Sequence, residues 1–248
     1  TDSHRVILRA NRALTEISGY SQQELIGNTP KIFQSGRHDK KFYATMWEHI
    51  RTTGSWQGEI WNKRKNGEFY PQHILIAAVR DKNGETTHYV SSITDISAYK
   101  ASEEKVRLLA FYDSLTQLPN RSLFLEHLEQ SLQEAENKKW WGALLCIDLD
   151  HFKVLNDTEG HETGDRLLEQ VATRLSEYIE ANQMVARFTS DEFVVLLDQL
   201  GNSEMEAIQR AEKTAKDILQ RLAQPYFFTN SEYRSSASIG ISLFGQDA

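Results

Sequence analysis

The chain has 248 residues, of which 40% are hydrophobic and 25% charged, and a formal charge of -7. That length and apolar content suit two packed domains better than one, and the presence of only four prolines, with no low-complexity tract, excludes extended disorder. The negative balance excludes a broad field for nucleic acid polymers, the single cysteine, Cys146, excludes an internal disulfide and suits the cytoplasm, and no apolar run is long enough to cross a bilayer.

Val6 to Leu8 read as a strand, after which Asn11 can cap a short helix and Ser21 with Glu24 forms a capping-box pattern for a second. Asp39 is a third N-cap: Phe42, Tyr43, Met46, Trp47 and Ile50 recur behind it at helical spacing until Gly54 stops the run. Three strands follow, Trp56 to Lys63, Glu68 to Arg80 and Glu85 to Thr94, joined by two KNG turns and expected to pair as hairpins. The first hundred residues therefore predict a small α+β unit, an antiparallel sheet with flanking helices.

Residues 96–112 hold no Gly or Pro and carry Val106 and Leu109 among charged residues, which predicts a linker helix. A helix this short is marginal alone in water, so packing against a second chain as a parallel homodimer is expected; the alternative is an amphipathic helix folded onto its own domain.

Beyond it the pattern predicts a helix over 121–137, a strand over 142–149, a helix over 164–180, a hairpin over 184–198, a helix over 204–223 and strands near 226–229 and 233–244, a helix-flanked sheet. The continuously apolar Ala143 to Ile147 predicts burial on both strand faces, with Asp148 and Asp150 at the strand's C-terminal end. The segment CIDLDHFKVLNDTEGHETGD, 146–165, gathers carboxylates, Lys153 and Asn156 beside that end. Oxygen ligands there suit Mg²⁺, which takes one or two carboxylates and completes its shell with substrate phosphates; helix caps and solvated turns are the plain alternative for any one of these residues. In RFTSDEFVVLL, 187–197, Asp191 and Glu192 stand at a hairpin tip and point to opposite faces, so they serve different roles.

These strings, with DSLTQLPNR at 113–121 and SASIGIS at 236–242, resemble the GGDEF, or diguanylate cyclase, family, whose fold is a mainly antiparallel, nucleotidyl-cyclase-like sheet flanked by helices. The resemblance implies condensation of two GTP molecules to cyclic di-GMP, with Asp148, the Leu149 carbonyl and Asp191 as Mg²⁺ ligands. It further implies Glu192 and Lys153 in catalysis, the former on metal or hydroxyl activation and the latter near the phosphates. Asn156 and Asp165 match the guanine-reading positions, and Asp113 with Arg121 matches a structural pair. Where the family name has two glycines the chain has Thr189 and Ser190, assigned here to nucleotide contact; a β-branched Thr resists the positive φ that glycine permits. The matching positions of a product-inhibition site hold Glu180 and Gln183, which implies that feedback is lost. GTP binding with weak or absent cyclase activity is therefore expected; an active cyclase and a non-catalytic dimerising module regulating a downstream EAL phosphodiesterase are the alternatives.

Residues 1–97 resemble a PAS domain through GYSQQELIG, SGRHDKKFYATMW, GSWQGEIWNKRKNGEFYP and TDIS, with the family's first strand expected before Thr1. Arg37, His38, Asp39, Trp56 and Asn62 occupy places like those that hold FAD in some relatives; the alternative makes Trp56 core and Asp39 a helix cap. The expected layout is a PAS sensor at 1–97, a linker helix at 98–112 and a GGDEF domain at 113–248 whose remaining C-terminal part lies beyond Ala248.

Overall fold

The computed structural model describes residues 1–180, 183–228 and 231–245. The chain divides into two compact units, Thr1–Glu104 and Lys105–Ala248.

The first unit opens with α1 (Arg12–Ser18) and α2 (Gln22–Leu25), a 3₁₀ turn at Pro30–Phe33, and α3 (Lys40–Thr53). The three α-helices are capped as the sequence predicts. Asn11 Oδ1 accepts from the Leu14 N–H at 3.0 Å, the Ser21–Glu24 box closes in both directions, and Asp39 Oδ1 accepts from Phe42 N–H at 2.7 Å. Gly54, at φ 87°, ends α3 in the left-handed conformation that glycine tolerates. Strands β1 (Ser55–Lys63), β2 (Phe69–Arg80) and β3 (Thr86–Asp95) form an antiparallel meander in that order. Met46 and Ile50 of α3 pack on Ile60, Ile74 and Ile76 of its inner face, while Ile7, Leu25 and Phe33 form a second small core. Val6 to Leu8 are not a strand: Ile7 alone exchanges backbone bonds with Gly27 and Asn28, which buries its side chain without building a ladder.

Helix α4 (Ser97–Phe111) contains the boundary between the units and has no buried residue. Tyr99, Val106 and Leu109 are each more than 60% exposed along it.

The second unit runs α5 (Arg121–Lys138), β4 (Trp141–Leu149), α6 (Phe152–Glu159), α7 (His161–Tyr178), β5 (Met184–Arg187), β6 (Glu192–Gly201), α8 (Glu204–Leu222), β7 (Tyr226–Phe228), β8 (Ser231–Tyr233) and β9 (Ala237–Phe244). The main sheet has the order β5-β6-β4-β9, every pair antiparallel, and β7 with β8 forms a separate ribbon. The predicted end of the earlier strand, position 229, lies outside the described residues.

Leu145, Ile147 and Leu149 of β4 pack with α7 and α8 in one core, while Phe124, Trp140, Val194 and Phe244 form another with Leu144 beside them. The expectation of burial on both faces from Ala143 to Ile147 fails at Cys146, which is exposed, as is Asp148 beyond it. The second core covers only the near half of that face, so the strand's end is open. Helix α6 was not foreseen, and α7 starts three residues early. The two helices are divided by Gly160, whose φ of 85° breaks one run into two.

Candidate functional site

The open end of β4 is where the acidic residues gather. Asp148 stands opposite Glu192 of β6 on one side and Ser238 of β9 on the other, and the Leu149 N–H donates to the Asp191 carbonyl at 3.3 Å. Burial raises the Asp148 carboxyl above its ordinary range, and the negative charges of Asp191, Glu192 and Asp150 raise it further. No cation is among the groups that act on it.

Asp150 is spent differently. Its two oxygens accept from the hydroxyls of Ser236 at 2.6 Å and Ser238 at 2.9 Å, and its N–H donates to Ser236 O at 3.0 Å. Those hydroxyls hold its carboxyl below the usual carboxylate range. Of the two strand-end acids only Asp148 lacks a side-chain hydrogen-bond donor among the described residues.

The tip between β5 and β6 carries Thr189, Ser190 and Asp191, and none of the three has a positive φ. The tip thus uses a backbone that a β-branched Thr tolerates, without the left-handed residue that glycine would permit. Arg187 draws both carbonyls inward, its Nε donating to Thr189 O at 3.1 Å and its Nη2 to Ser190 O at 2.8 Å. Nη1 of the same side chain pairs with Asp113 at 2.9 Å. Arg187, not Arg121, is therefore the partner of Asp113; the Arg121 guanidinium lies 6.0 Å from the Phe188 ring instead. Thr189 Oγ1 donates to Glu192 Oε2 at 2.9 Å, and Ser190 Oγ to Asp191 Oδ1 at 2.7 Å.

Helices α6 and α7 place Asn156 against Gly164. A Cβ built on Gly164 would fall 1.9 Å from Asn156 Oδ1, so only glycine leaves room for the amide. That Oδ1 is buried and has no hydrogen-bond donor among the described residues. Asp165, next along α7, is exposed, as is Lys153 on α6, which forms no ion pair among the described residues. The fold thus brings Asp148, Asp191 and Glu192 together and sets Asn156 in a polar seat, while Lys153 and Asp165 remain solvated.

Among the described residues no three His, Cys, Asp or Glu side chains converge with the spacing of a closed metal site. Mg²⁺ asks for less: one or two carboxylates, with the remaining positions filled by phosphate oxygens and water. Asp148, Asp191 and the Leu149 carbonyl fit that requirement, and a cation there would relieve the crowding that raises Asp148. Gly164, Arg187, Ser236 and Ser238 were not singled out from the sequence for these roles. Ser236 and Ser238 sit in SASIGIS with period two, opposite the end of β4, which is the one signal that could have found them.

The five residues considered for a flavin are all engaged internally. Arg37 lies 4.2 Å over the Trp61 ring, His38 Nε2 accepts from the Trp61 N–H at 2.9 Å, and Asp39 caps α3. The Trp56 ring folds over Gly58, where a Cβ would meet it at 2.6 Å, and Asn62 is 8% exposed and bridges to Gln34 through the backbone. These contacts account for all five, and the neighbouring groove beside Asp39, Phe42, Met46 and Trp56 is open to solvent. None of these contacts requires a flavin.

Residues 110–248 match the family described as diguanylate cyclase, GGDEF domain, and residues 1–98 match the PAS domain family. The chain is 31% identical over 245 residues to the cyclic di-GMP phosphodiesterase PdeR of Escherichia coli K12, covering 98% of this chain and 36% of that protein. It is 40% identical over 173 residues to the bifunctional diguanylate cyclase/cyclic di-GMP phosphodiesterase MucR of Pseudomonas aeruginosa, covering 70% of this chain and 24% of MucR. It spans well under two thirds of either. Among solved structures, the GGDEF domain of TpbB from Pseudomonas aeruginosa is similar at a TM-score of 0.51 and 36% identity, covering 54% of this chain and 75% of that one. A sensory box/GGDEF family protein from Caulobacter crescentus gives 0.51 and 35%, covering 55% and 85%.

Proposed function

The chain belongs to the diguanylate cyclase (GGDEF) family, with a PAS domain ahead of it, and from that premise we propose that its second unit binds GTP with Mg²⁺ and condenses it weakly or not at all. The observation that carries the binding half is the Asn156 amide. A buried acceptor left without a donor costs about 1–3 kcal/mol, and the N–H groups on a guanine edge would satisfy it. Asp165 is the second guanine contact in this reading, and the exposed Lys153 of α6 is the phosphate contact.

Asp148, Asp191 and the Leu149 carbonyl would hold Mg²⁺, which when bound neutralises charge on the phosphates. Glu192 would act on the attacking 3'-hydroxyl. The catalytic half of the proposal follows from the tip. Joining the 3'-hydroxyl of one GTP to the α-phosphate of another, with pyrophosphate leaving, needs close alignment of both, and Thr189 and Ser190 put side chains where the family name has none.

The reaction needs two chains, and the exposed stripe of Tyr99, Val106 and Leu109 on α4 supports a homodimer through that helix. PdeR and MucR are named as phosphodiesterases, which supports a role in which the GTP-loaded unit regulates an EAL phosphodiesterase domain in the full protein.

Calorimetry of the whole chain with GTP and Mg²⁺ should give heat that ATP does not match and that Asp148→Ala removes. Absence of heat at millimolar GTP would overturn the binding reading. Chromatography of the same mixture then decides the catalytic half: rapid accumulation of cyclic di-GMP would contradict it.

A further inference from the structure

The two tip residues that depart from the family name are tied into the acidic cluster by their side chains. Thr189 and Ser190 each donate a hydroxyl to one oxygen of Glu192 and Asp191 respectively. The remaining oxygen of each carboxylate has no hydrogen-bond partner among the described residues. From behind, Arg187 holds both of their carbonyls and is itself anchored on Asp113. With neither residue at positive φ, the backbone is one that a Cβ tolerates. The tip is fixed at its main chain by a guanidinium and at its side chains by two acids.

A donor on one oxygen of a carboxylate fixes its rotamer and leaves the other oxygen presented to a cation, and loss of such partners typically weakens metal binding. Two glycines at this tip could offer no such donor. We infer that Thr189 and Ser190 are positioning residues that hold Glu192 and Asp191 ready for a divalent cation, so that the altered signature is adapted to retain metal. This rests on the reading of the cluster as a magnesium nucleotide site. It also explains how one pair of substitutions can separate binding from turnover: the hydroxyls secure the cation while the added bulk at the tip opposes alignment of the phosphate.

The test is calorimetric titration of the whole chain with Mg²⁺, alone and at saturating GTP. Ser190→Ala and Thr189→Val remove the hydroxyls with little change of shape, and each should weaken Mg²⁺ binding roughly tenfold, the low end of the usual range for partners this exposed. Thr189→Ser keeps the hydroxyl and should stay near the parent value. Replacing both residues by glycine should also weaken the metal rather than tighten it. Circular dichroism and urea unfolding establish that each variant is folded, and Ser190→Ala alone suffices should the valine variant fail. Unchanged or tighter Mg²⁺ binding in Ser190→Ala and the double-glycine variant overturns the inference while leaving the site assignment intact. Absence of any Mg²⁺-dependent heat in the parent chain overturns both.

Discussion

Gly164→Ala adds one methyl group at the point where α7 meets the Asn156 amide. The new carbon would stand 1.9 Å from Asn156 Oδ1 and 3.2 Å from Phe152 Cζ, so the amide must leave its seat. Inside a helix, alanine is favoured over glycine by about 0.8–1.0 kcal/mol, whereas overpacking costs about 1–3 kcal/mol. The two oppose each other, and the net loss of stability should be no more than about 2 kcal/mol. Binding should suffer more visibly. Removing one neutral hydrogen bond to the base costs about 0.5–1.5 kcal/mol, which at 1.4 kcal/mol per decade weakens GTP about two- to twelvefold. Calorimetry on Gly164→Ala, Asn156→Ala and the double variant closes a cycle in which the glycine change has no further effect once the amide is gone. GTP binding by Gly164→Ala at parental affinity, or full additivity in the cycle, would refute the assignment of Gly164 as the seat of Asn156.

Arg187→Ala leaves Asp113 without its cation and frees two tip carbonyls; with the pair only 11% and 24% exposed, urea unfolding should register a loss of about 2 kcal/mol. The same pair sets a pH dependence. Burial opposes ionisation of Asp113, but hydrogen bonds from Thr116 and the Arg187 guanidinium outweigh it and hold the carboxyl below its ordinary range. Its contribution is therefore fully present above the unfolded carboxylate value of about 3.9 and is lost as pH falls through the lower folded value. Unfolding of the parent and Asp113→Asn should differ at neutral pH and converge in strong acid; a gap that persists there would contradict this account. Asp148 has the opposite sign, since burial and like charges disfavour its ionised form. In a chelator at neutral pH Asp148→Asn should melt above the parent, while the upward shift that Mg²⁺ and GTP give the parent should vanish.

Much of the fold was legible because the local signals were strong and agreed. Asn11, Ser21 and Asp39 cap their helices by hydrogen bonds three residues long, and the KNG turns set a meander whose register alternates as a period of two demands. What escaped was non-local. The bond from Arg187 to Asp113 joins residues 74 apart, and no spacing announces it. Residues 152–159 read as a polar motif, and their dense chemistry concealed a helix whose boundaries are set by His151 at φ 61° and Gly160 at φ 85°. The tip's conformation escaped because replaced glycines say that a left-handed turn is disfavoured without saying which turn stands instead, and Thr189, Ser190 and Asp191 use no left-handed residue. The acids that would bind metal were recognisable as types, but the division of labour between Asp148 and Asp150 depended on serines more than 80 residues away.

The two acids at the end of β4 differ in what the neighbouring strand gives them: Asp150 receives two hydroxyls. By donating to both oxygens of Asp150, the last strand of the sheet favours its ionised form, and that charge is among those that confront Asp148. Ser236 and Ser238 thereby act on Asp148 through a neighbouring carboxylate. Were either hydroxyl removed, the ionised form of Asp150 would lose a donor, and the like charge that disfavours ionisation of Asp148 would weaken with it. The proton affinity of Asp148 is therefore a property that sequence drift in β9 can change while Asp148 itself stays in place.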